Sequence, residues 1–309
     1  MSKNRQLSHT KQDSASLLKG RIIAHLGKAL LVEDKEGQTA LCKKRTQLEQ
    51  PAVGDYVEWI KTEDGAGRVE KILERRSLLS RPAKNGNTRP VAANLDQIVA
   101  ILAVKPTIDP LLLDQYLIVC ELQEIRPLIV LNKTDLLDEK SKEYIDDLVL
   151  VYRNLGYEVI EISAISKTGL DTLRERLRNE TSILVGQSGV GKSTITNALL
   201  PDLELQTKTL STASGLGKHT TTSTNLYKLP EGGDIIDSPG VNIFGLAHIT
   251  EQNLAYGYRE IKQLADQCKY SNCMHLKEPK CAVKDGVESG EVSKQRYLRY
   301  LKLRDKLAY

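Results

Sequence analysis

A glycine-rich stretch of the form G-x-x-x-x-G-K-[S/T] lies between an apolar run and a segment typical of a helix. Glycines at these positions let consecutive backbone N–H groups point at a phosphate, at a helix N-terminus whose dipole favours anions. The lysine adds positive charge near the β- and γ-phosphates, and the next hydroxyl can ligate Mg²⁺. The pattern predicts a nucleotide-binding loop made of Gly186, Gln187, Ser188, Gly189, Val190, Gly191, Lys192, Ser193 and Thr194, with Ser193 as a magnesium ligand.

Two polar motifs that precede this loop in the chain indicate the base. Residues 132–135 follow the apolar run 128–131 and resemble the N-K-x-D motif of GTPases. Their position at the carboxyl end of a strand is where open α/β sheets bind ligands. The Asp135 carboxylate can accept hydrogen bonds from both N1–H and the exocyclic amine of guanine, a donor pair that adenine lacks. Residues 163–164 resemble the companion S-A motif, whose backbone N–H reads guanine O6. We therefore expect guanine contacts from Asn132, Lys133, Thr134, Asp135, Ser163 and Ala164.

Residues 237–240 resemble the D-x-x-G motif of switch II, in which the aspartate holds Mg²⁺ through water and the glycine N–H senses the γ-phosphate. These roles fall to Asp237 and Gly240. The polar segment 215–222 occupies the position of switch I. We expect one of its threonines to complete the magnesium shell and favour Thr221, which gives a predicted magnesium set of Ser193, Thr221 and Asp237.

The group that activates water is the least explicit part of the pattern. Val241 follows the D-x-x-G motif, in place of the glutamine that orients water in Ras-like enzymes. A histidine in a glycine-flanked loop can orient or deprotonate water near neutral pH, so His219 is the predicted catalytic residue. A surface-loop histidine without a catalytic role is the alternative on these grounds.

The order of the motifs is unusual, because the base motifs come before the phosphate loop instead of after switch II. A closed domain tolerates such circular permutation when its termini can be joined and a surface loop opened. In this order switch II leads directly into the C-terminal part of the chain. Movement of switch II on loss of the γ-phosphate should therefore be transmitted to the residues after Gly240.

Three cysteines and a histidine share a fourteen-residue window with the spacing C-x4-C-x-H-x5-C. Three thiolates and one imidazole match a closed tetrahedral zinc site, which leaves no position for a catalytic water. We predict one structural Zn²⁺ bound by Cys268, Cys273, His275 and Cys281. The two remaining cysteines, Cys42 and Cys120, lie in apolar surroundings that are typical of the core.

Strand and helix patterns divide the 309 residues into successive parts. Short strands predict an OB-like β-barrel, and alternating strands and helices predict a doubly wound α/β domain. We expect a flexible basic tail at 1–19, the barrel at 20–80, a linker at 81–90, the permuted GTPase domain at 91–245 and a helical zinc-binding domain at 246–309. The net charge of +4 indicates no nucleic-acid partner by itself. The basic runs 75–89 and 294–309 are typical of a solvated linker and a solvated helix face.

The N-terminus lacks the apolar core of a secretory signal, and no apolar stretch is long enough to span a membrane. These features predict a cytoplasmic protein that does not contact a membrane. Clustered cysteines favour a metal in a reducing compartment over disulfides. We expect the chain to be a monomer that needs Mg²⁺ together with GTP.

The series of barrel, permuted G domain and Cys3His knuckle resembles the circularly permuted, ribosome small-subunit-dependent GTPase A family of bacteria. The resemblance covers nearly the whole chain. It implies a cytoplasmic GTPase that docks on the 30S subunit through the barrel and the zinc domain, aids late maturation of 16S rRNA and hydrolyses GTP faster when bound. That family also carries a histidine just before the switch I threonines, which favours a catalytic role for His219.

Two other functions remain open from the sequence. The first alternative is a GTP-gated RNA- or protein-binding module in which hydrolysis is incidental, which the missing glutamine favours and His219 opposes. A permuted GTPase that acts on the large subunit or on a protein partner is the second alternative, which the barrel and the knuckle disfavour.

Overall fold

The computed structural model of the chain describes residues 16–63, 65–83, 87–203, 224–238 and 249–307. Within these ranges no helix has both the length and the apolar character needed to cross a membrane. The described residues form a barrel, a wound α/β domain and a helical C-terminal part, in chain order.

Five short strands form the N-terminal barrel, as the sequence predicts. They are β1 (Leu18–Leu26), β2 (Ala29–Asp34), β3 (Thr39–Lys44), β4 (Tyr56–Lys61) and β5 (Gly67–Ile72). Strand β1 pairs with β2 and β4, and β5 pairs with β3 and β4, so the ring is closed and no long edge is left free. Strand β1 begins inside the range predicted as a tail.

Buried apolar side chains fill the barrel, and Cys42 is one of them, as expected for a core cysteine. The barrel interior is so tight that a Cβ on Gly67 would lie 2.3 Å from the Cys42 Sγ atom, which explains why β5 begins with glycine. Trp59 is 2% exposed, so this aromatic is a core residue and not a platform for a nucleic-acid base.

A two-stranded hairpin follows the barrel, formed by β6 (Leu78–Pro82) and β7 (Thr88–Ala93). The predicted linker 81–90 therefore begins and ends in paired strands. Nearby arginines of the basic run bind internal carboxylates. Arg75 donates to the buried Asp55 carboxylate at 2.7 and 2.8 Å, and Arg76 donates to Asp96 at 2.8 Å. Arg75 therefore stabilises the fold through a buried carboxylate, whereas Arg76 forms an ion pair at the surface.

The central sheet runs in the order β10-β9-β8-β11-β13-β12. Its strands are β8 (Gln97–Ala103), β9 (Arg126–Asn132), β10 (Glu158–Glu161), β11 (Thr181–Val185), β12 (Asn225–Lys228) and β13 (Asp234–Asp237). All neighbours pair in parallel except β12, which is antiparallel to β13. Every residue of β8 is buried, as expected for a strand covered on both faces.

Among the described residues, four helices cover the sheet, two on each face. Helices α1 (Pro110–Gln123) and α2 (Glu139–Asn154) contribute to one apolar cluster, and α3 (Leu170–Leu177) and α4 (Lys192–Leu199) contribute to the other. Cys120 lies in the first cluster and is buried, as predicted. This doubly wound arrangement brings the carboxyl ends of β8, β9, β11 and β13 to one edge, where ligands of such folds bind.

The barrel is joined to this sheet at the edge strand β12. Ala24 of β1 forms a bridge with Asn225, so the hydrogen-bonded strands continue from the barrel into the α/β domain. Arg21 strengthens the joint, because it donates to Asp234 at 2.6 Å and to the Thr181 hydroxyl at 2.9 Å.

The C-terminal part consists of α5 (Glu251–Leu254), α6 (Arg259–Ala265), α7 (Ala282–Ser289) and α8 (Lys294–Leu307), with a short 3-10 helix after α5. Apolar side chains from all four helices pack together and against Ile118 of α1. The last helix begins close to residue 291, where the sequence predicts its start.

Helix α8 is only in part the solvated basic face that its composition suggests: its lysines are exposed, but two of its arginines are paired inside the protein. Arg296 is 1% exposed and pairs with Glu260 and with Asp114, which it contacts at 2.5 Å. Arg299 donates to the other Asp114 oxygen, also at 2.5 Å. Burial raises the pKa of Asp114, while the two guanidinium groups act in the opposite direction. Arg296 and Arg299 of α8 thus join the C-terminal part to Asp114 of α1.

Candidate nucleotide site and metal centre

The phosphate loop lies between β11 and α4, in the position that the sequence predicts. Gly186 has a φ of +150°, and a Cβ there would lie 2.3 Å from the Ile101 carbonyl oxygen. Gly191 has a φ of +97°, and its Cβ would lie 2.5 Å from Asn132 Nδ2. Both glycines are therefore required by backbone conformation and by close approach to neighbouring strands.

The Lys192 side chain lies along this loop. Its Nζ donates to the carbonyl oxygens of Gly186 and Gln187 at 2.6 and 2.8 Å. Burial lowers the pKa of Lys192, and the nearby Asp237 carboxylate opposes that shift. Ser193 and Thr194 are exposed in the first turn of α4, where backbone N–H groups have no partner within the helix. The arrangement offers a positive charge, free N–H groups and hydroxyls to an anion.

Asn132 connects the phosphate loop to both base loops. Its Nδ2 donates to the Val190 carbonyl at 2.9 Å, and its Oδ1 accepts from the Ala164 N–H at 3.1 Å. The neighbouring Lys133 donates through Nζ to the Gly189 carbonyl at 2.7 Å. The structure therefore brings together the three motifs that the sequence places on separate strands.

The Asp135 carboxylate, which is expected to bind the base, is oriented by a hydrogen bond to one of its oxygens. Ser163 Oγ donates to Asp135 Oδ1 at 2.5 Å and itself accepts from the Ser166 N–H at 3.2 Å. Thr134 is held by a bond from its hydroxyl to the Ile162 carbonyl at 3.0 Å. Asp135 is exposed, so its carboxylate is oriented by the protein and remains accessible to a ligand.

Asp237 ends β13 at the same edge of the sheet. Burial raises the pKa of Asp237, and Lys192 acts in the opposite direction, so the two groups are near enough to interact electrostatically. Three predicted site residues lie outside the part of the chain that the structure describes: His219, Thr221 and Gly240.

Three contacts of the site are not predicted by any short motif. The Gly186 N–H hydrogen-bonds the buried Tyr116 phenol of α1, and the Asp109 N–H donates to Gln187 Oε1 at 3.3 Å. The third joins the hydroxyls of Thr224 and Ser238 at 2.8 Å. The helical pattern of α1 indicates that Tyr116 is buried, but nothing in it indicates the contact with the loop.

The predicted metal ligands come together in the C-terminal part. The Sγ or ring-nitrogen atoms of Cys268, Cys273, His275 and Cys281 all lie within 4.8 Å of one another. The Cys268 and Cys281 sulfurs are 3.9 Å apart, and His275 Nδ1 is 3.6 and 3.5 Å from them. Tetrahedral zinc with ordinary Zn–S and Zn–N bonds requires about 3.8 Å between sulfurs and about 3.5 Å from sulfur to nitrogen. The spacing fits zinc.

The loop that carries these ligands is held by its surroundings. The Glu278 carboxylate accepts from the backbone N–H groups of Met274 and Leu276 at 3.0 and 2.7 Å. Two tyrosines of α8 donate to loop carbonyls, Tyr297 to His275 at 2.6 Å and Tyr300 to Met274 at 3.0 Å. Burial lowers the pKa of His275, which favours the neutral imidazole that binds metals.

The matched family model describes RsgA GTPases and covers residues 72–247, more than half of the chain. The chain belongs to the RsgA GTPase family. Members similar to it include two proteins named small ribosomal subunit biogenesis GTPase RsgA. The one from Alcanivorax borkumensis is 44% identical over 295 residues, which cover 93% of this chain and 84% of that protein. The one from Haemophilus influenzae is 43% identical over 281 residues, covering 90% and 81%.

Two solved structures of this family type have the same architecture. YjeQ from Thermotoga maritima is 32% identical with a TM-score of 0.77, and the match covers 95% of this chain and 99% of that one. YloQ, described as a circularly permuted GTPase, is 30% identical with a TM-score of 0.72, covering 97% and 98%. The predicted fold class, with its permuted GTPase domain, is confirmed, and the chain is a GTPase of the RsgA family.

Proposed function

We propose that the chain hydrolyses GTP during biogenesis of the small ribosomal subunit, as the names of its relatives indicate for those proteins. The nucleotide part of this proposal is supported by the two hydrogen bonds of Asn132, because they join a base loop and the phosphate loop through one side chain. Within the part of the chain that the structure describes, no contact favours a module in which hydrolysis is incidental. The names of these relatives give no support to a large-subunit partner.

The described contacts support a division of roles among the nucleotide residues. Asp135, oriented by Ser163, would select guanine. The Ala164 N–H, which donates to Asn132 Oδ1 in this structure, would share its hydrogen with the guanine carbonyl oxygen. The loop from Gly186 to Thr194 would hold the phosphates, with Lys192 turning from the loop carbonyls to the β- and γ-phosphates. The proposed contacts with the base and the phosphates come from Asn132, Lys133, Thr134, Asp135, Ser163, Ala164, the loop 186–194, Asp237 and Gly240.

Mg²⁺ bound with GTP would neutralise charge that develops on the phosphates during transfer. We assign its coordination to Ser193, Thr221 and, through water, Asp237. The burial of Asp237 beside Lys192 suits a carboxylate that receives a cation when the nucleotide binds. We assign the orientation of the attacking water to His219, on the family resemblance and the absence of a glutamine after the D-x-x-G motif.

The barrel and the zinc knuckle are the proposed contacts with the 30S subunit and its 16S rRNA, which would place the protein in the cytoplasm. Exposed side chains around the metal cluster support this assignment. Lys269, Tyr270, Lys277 and Lys280 are all exposed, and the Lys269 ammonium lies 5.2 Å from the Tyr270 ring centroid. Lysines that neutralise phosphates and an aromatic ring that can stack on a base are the usual elements of RNA recognition.

Co-sedimentation with separated ribosomal subunits tests this proposal. With a non-hydrolysable GTP analogue, the protein should pellet with 30S and not with 50S subunits, and binding should weaken with GDP and with rising salt. Equal binding to both subunits, or binding that ignores the nucleotide, would contradict the proposal. Combined replacement of Lys269, Lys277 and Lys280 by Gln should weaken 30S binding without changing GTP affinity.

A further inference from the structure

One of the four predicted zinc ligands has an unusual backbone conformation. His275 has a φ of +59°, in the left-handed region that residues other than glycine rarely adopt. The residue is 2% exposed, and its Nδ1 lies 3.6 and 3.5 Å from the Cys268 and Cys281 sulfurs. A conformation that is unfavourable in isolation persists where the surrounding structure stabilises it. The contacts of this loop therefore decide whether the imidazole can reach the metal.

Glu278 binds the backbone on both sides of His275. Its Oε1 accepts from the Met274 N–H at 3.0 Å, and its Oε2 accepts from the Leu276 N–H at 2.7 Å. Hydrogen bonds from a backbone N–H to a carboxylate are stronger than those between two neutral groups. Because the two N–H groups flank His275, one side chain fixes the course of the backbone before and after this ligand.

Two tyrosines of α8 bind carbonyl groups of the same three-residue segment. The Tyr297 hydroxyl donates to the His275 carbonyl at 2.6 Å, and the Tyr300 hydroxyl donates to the Met274 carbonyl at 3.0 Å. Their rings are stacked, with centroids 6.2 Å apart. Residues 274–276 thus accept or donate four hydrogen bonds with three side chains, and none of these side chains belongs to the metal cluster.

Helix α8, which carries the tyrosines, is itself held against the GTPase domain. Arg296 and Arg299 pair with the Asp114 carboxylate of α1. Arg296 is 1% exposed and Asp114 is fully buried, so a shift of the helix would separate buried charges. A hydroxyl on a helix that is already fixed loses little further freedom when it bonds to the loop. The Tyr297 and Tyr300 hydroxyls are therefore well suited to hold the loop in one conformation.

We propose that Glu278 and Tyr297 are positioning residues of the zinc site. Neither side chain ligates the metal. Together they hold residues 274–276 in the conformation that places the His275 ring beside the cysteine sulfurs, so that Zn²⁺ binding does not have to order this segment. The proposal rests on the zinc ligands assigned above. Without either side chain the left-handed backbone at His275 is less populated, and the affinity for the metal falls.

Competition between the full chain and a chromogenic chelator measures the zinc affinity. Glu278→Ala and Tyr297→Phe should each weaken Zn²⁺ binding about 10- to 100-fold, the loss typical of removing an outer hydrogen-bond partner from a metal site. Glu278→Gln should lose less than Glu278→Ala, because its amide oxygen still accepts from one of the two N–H groups. At saturating Co²⁺, each variant should keep the absorption bands of tetrahedral cobalt with thiolate ligands, since no ligand has been removed.

Matched controls remove the same groups elsewhere in the C-terminal part. Glu288→Ala, at an exposed position of α7, and Tyr256→Phe, at a position 47% exposed, should keep the zinc affinity of the wild type. The affinity for GDP should be unchanged in every variant, which separates a local effect on the loop from loss of the fold.

Three results would overturn the positioning role. They are wild-type zinc affinity in both Glu278→Ala and Tyr297→Phe, an equal loss in the controls, and a parallel fall in GDP affinity. A cobalt spectrum without thiolate bands in these variants would also contradict it, because the ligand set itself would then have changed. A wild-type protein that binds no Zn²⁺ would instead refute the ligand assignment, and the positioning role with it.

Discussion

Asn132 and Val190 join the base-reading and phosphate-binding halves of the site through one hydrogen bond of 2.9 Å, from the Asn132 Nδ2 to the Val190 carbonyl. The same amide accepts from the Ala164 N–H, so one side chain sets the separation of three loops. Asn132 and Val190 are 58 positions apart in the chain, so this contact depends on the tertiary structure.

Removing that amide should weaken nucleotide binding. Asn132→Ala leaves the Val190 carbonyl and the Ala164 N–H without this partner, and we expect the affinity for a fluorescent GDP to fall about 10- to 100-fold. Asn132→Asp keeps the acceptor but places a carboxylate against the Val190 carbonyl, so it should bind no better than the alanine variant. Asn154→Ala, at an exposed position of α2, is the control. Unchanged affinity in Asn132→Ala would show that the loops hold their spacing without this side chain.

Base selectivity should depend on Asp135. Asp135→Asn replaces a carboxylate that can accept from two guanine donors by an amide that also donates, so guanine preference should fall and xanthine nucleotides, with a carbonyl in place of the exocyclic amine, should bind better. Competition among GDP, XDP and ADP for the site measures the change. Asp138→Asn, three residues further on at the N-cap of α2, should leave the selectivity of the wild type intact. A wild-type protein that binds ADP as tightly as GDP would refute the assignment.

The parts of the site that the sequence predicts are those whose residues lie within one short motif. The phosphate loop, the N-K-x-D residues and the four metal ligands each act through local spacing, so the types and positions of their residues are enough. The Thr224–Ser238 and Asn132–Val190 contacts depend on strand pairing and loop packing, which a motif does not describe. Residues 81–90 contain the prolines and glycine typical of a linker, yet residues 81–82 and 88–90 lie in paired strands.

The buried ion pairs are even less predictable from the sequence than these contacts. A basic helix with an apolar stripe predicts a solvated cationic face, yet the Arg296 guanidinium is buried against Asp114, which is 182 residues away in the chain. Its partner comes from α1 of the GTPase domain, so only the tertiary structure brings them together. Local composition does not predict such a pair, because it describes each charge only with its neighbours in the sequence.

Breaking this pair should destabilise the protein. Arg296→Met removes the guanidinium that pairs with Asp114 and Glu260 and lies 4.9 Å from the Tyr258 ring centroid, and we expect a loss of about 3–5 kcal/mol in the free energy of unfolding. Urea denaturation measures it, with Lys302→Met at an exposed position of the same helix as the control. A loss below about 1 kcal/mol would mean that apolar packing alone joins α8 to α1.

Zinc should be bound once per chain and should stabilise the C-terminal part. Cys273→Ser should lower the zinc content below one equivalent and lower the melting temperature, with little effect on GDP affinity, because the site closes a loop distant from the nucleotide. Cys42→Ala, which changes a buried cysteine of the barrel, should keep the metal. Elemental analysis of the purified variants measures their zinc content. A folded wild-type protein without metal would refute the zinc assignment.

GTP hydrolysis by this chain should respond to the small ribosomal subunit. The most direct test is the steady-state rate of phosphate release from GTP with no subunits, with purified 30S subunits and with purified 50S subunits, for wild type and for His219→Ala. We predict that 30S subunits alone stimulate the wild type, and that His219→Ala loses about 10²- to 10⁴-fold in stimulated kcat with nearly unchanged GTP affinity. Equal rates with 30S and 50S subunits would contradict a specific response to the small subunit.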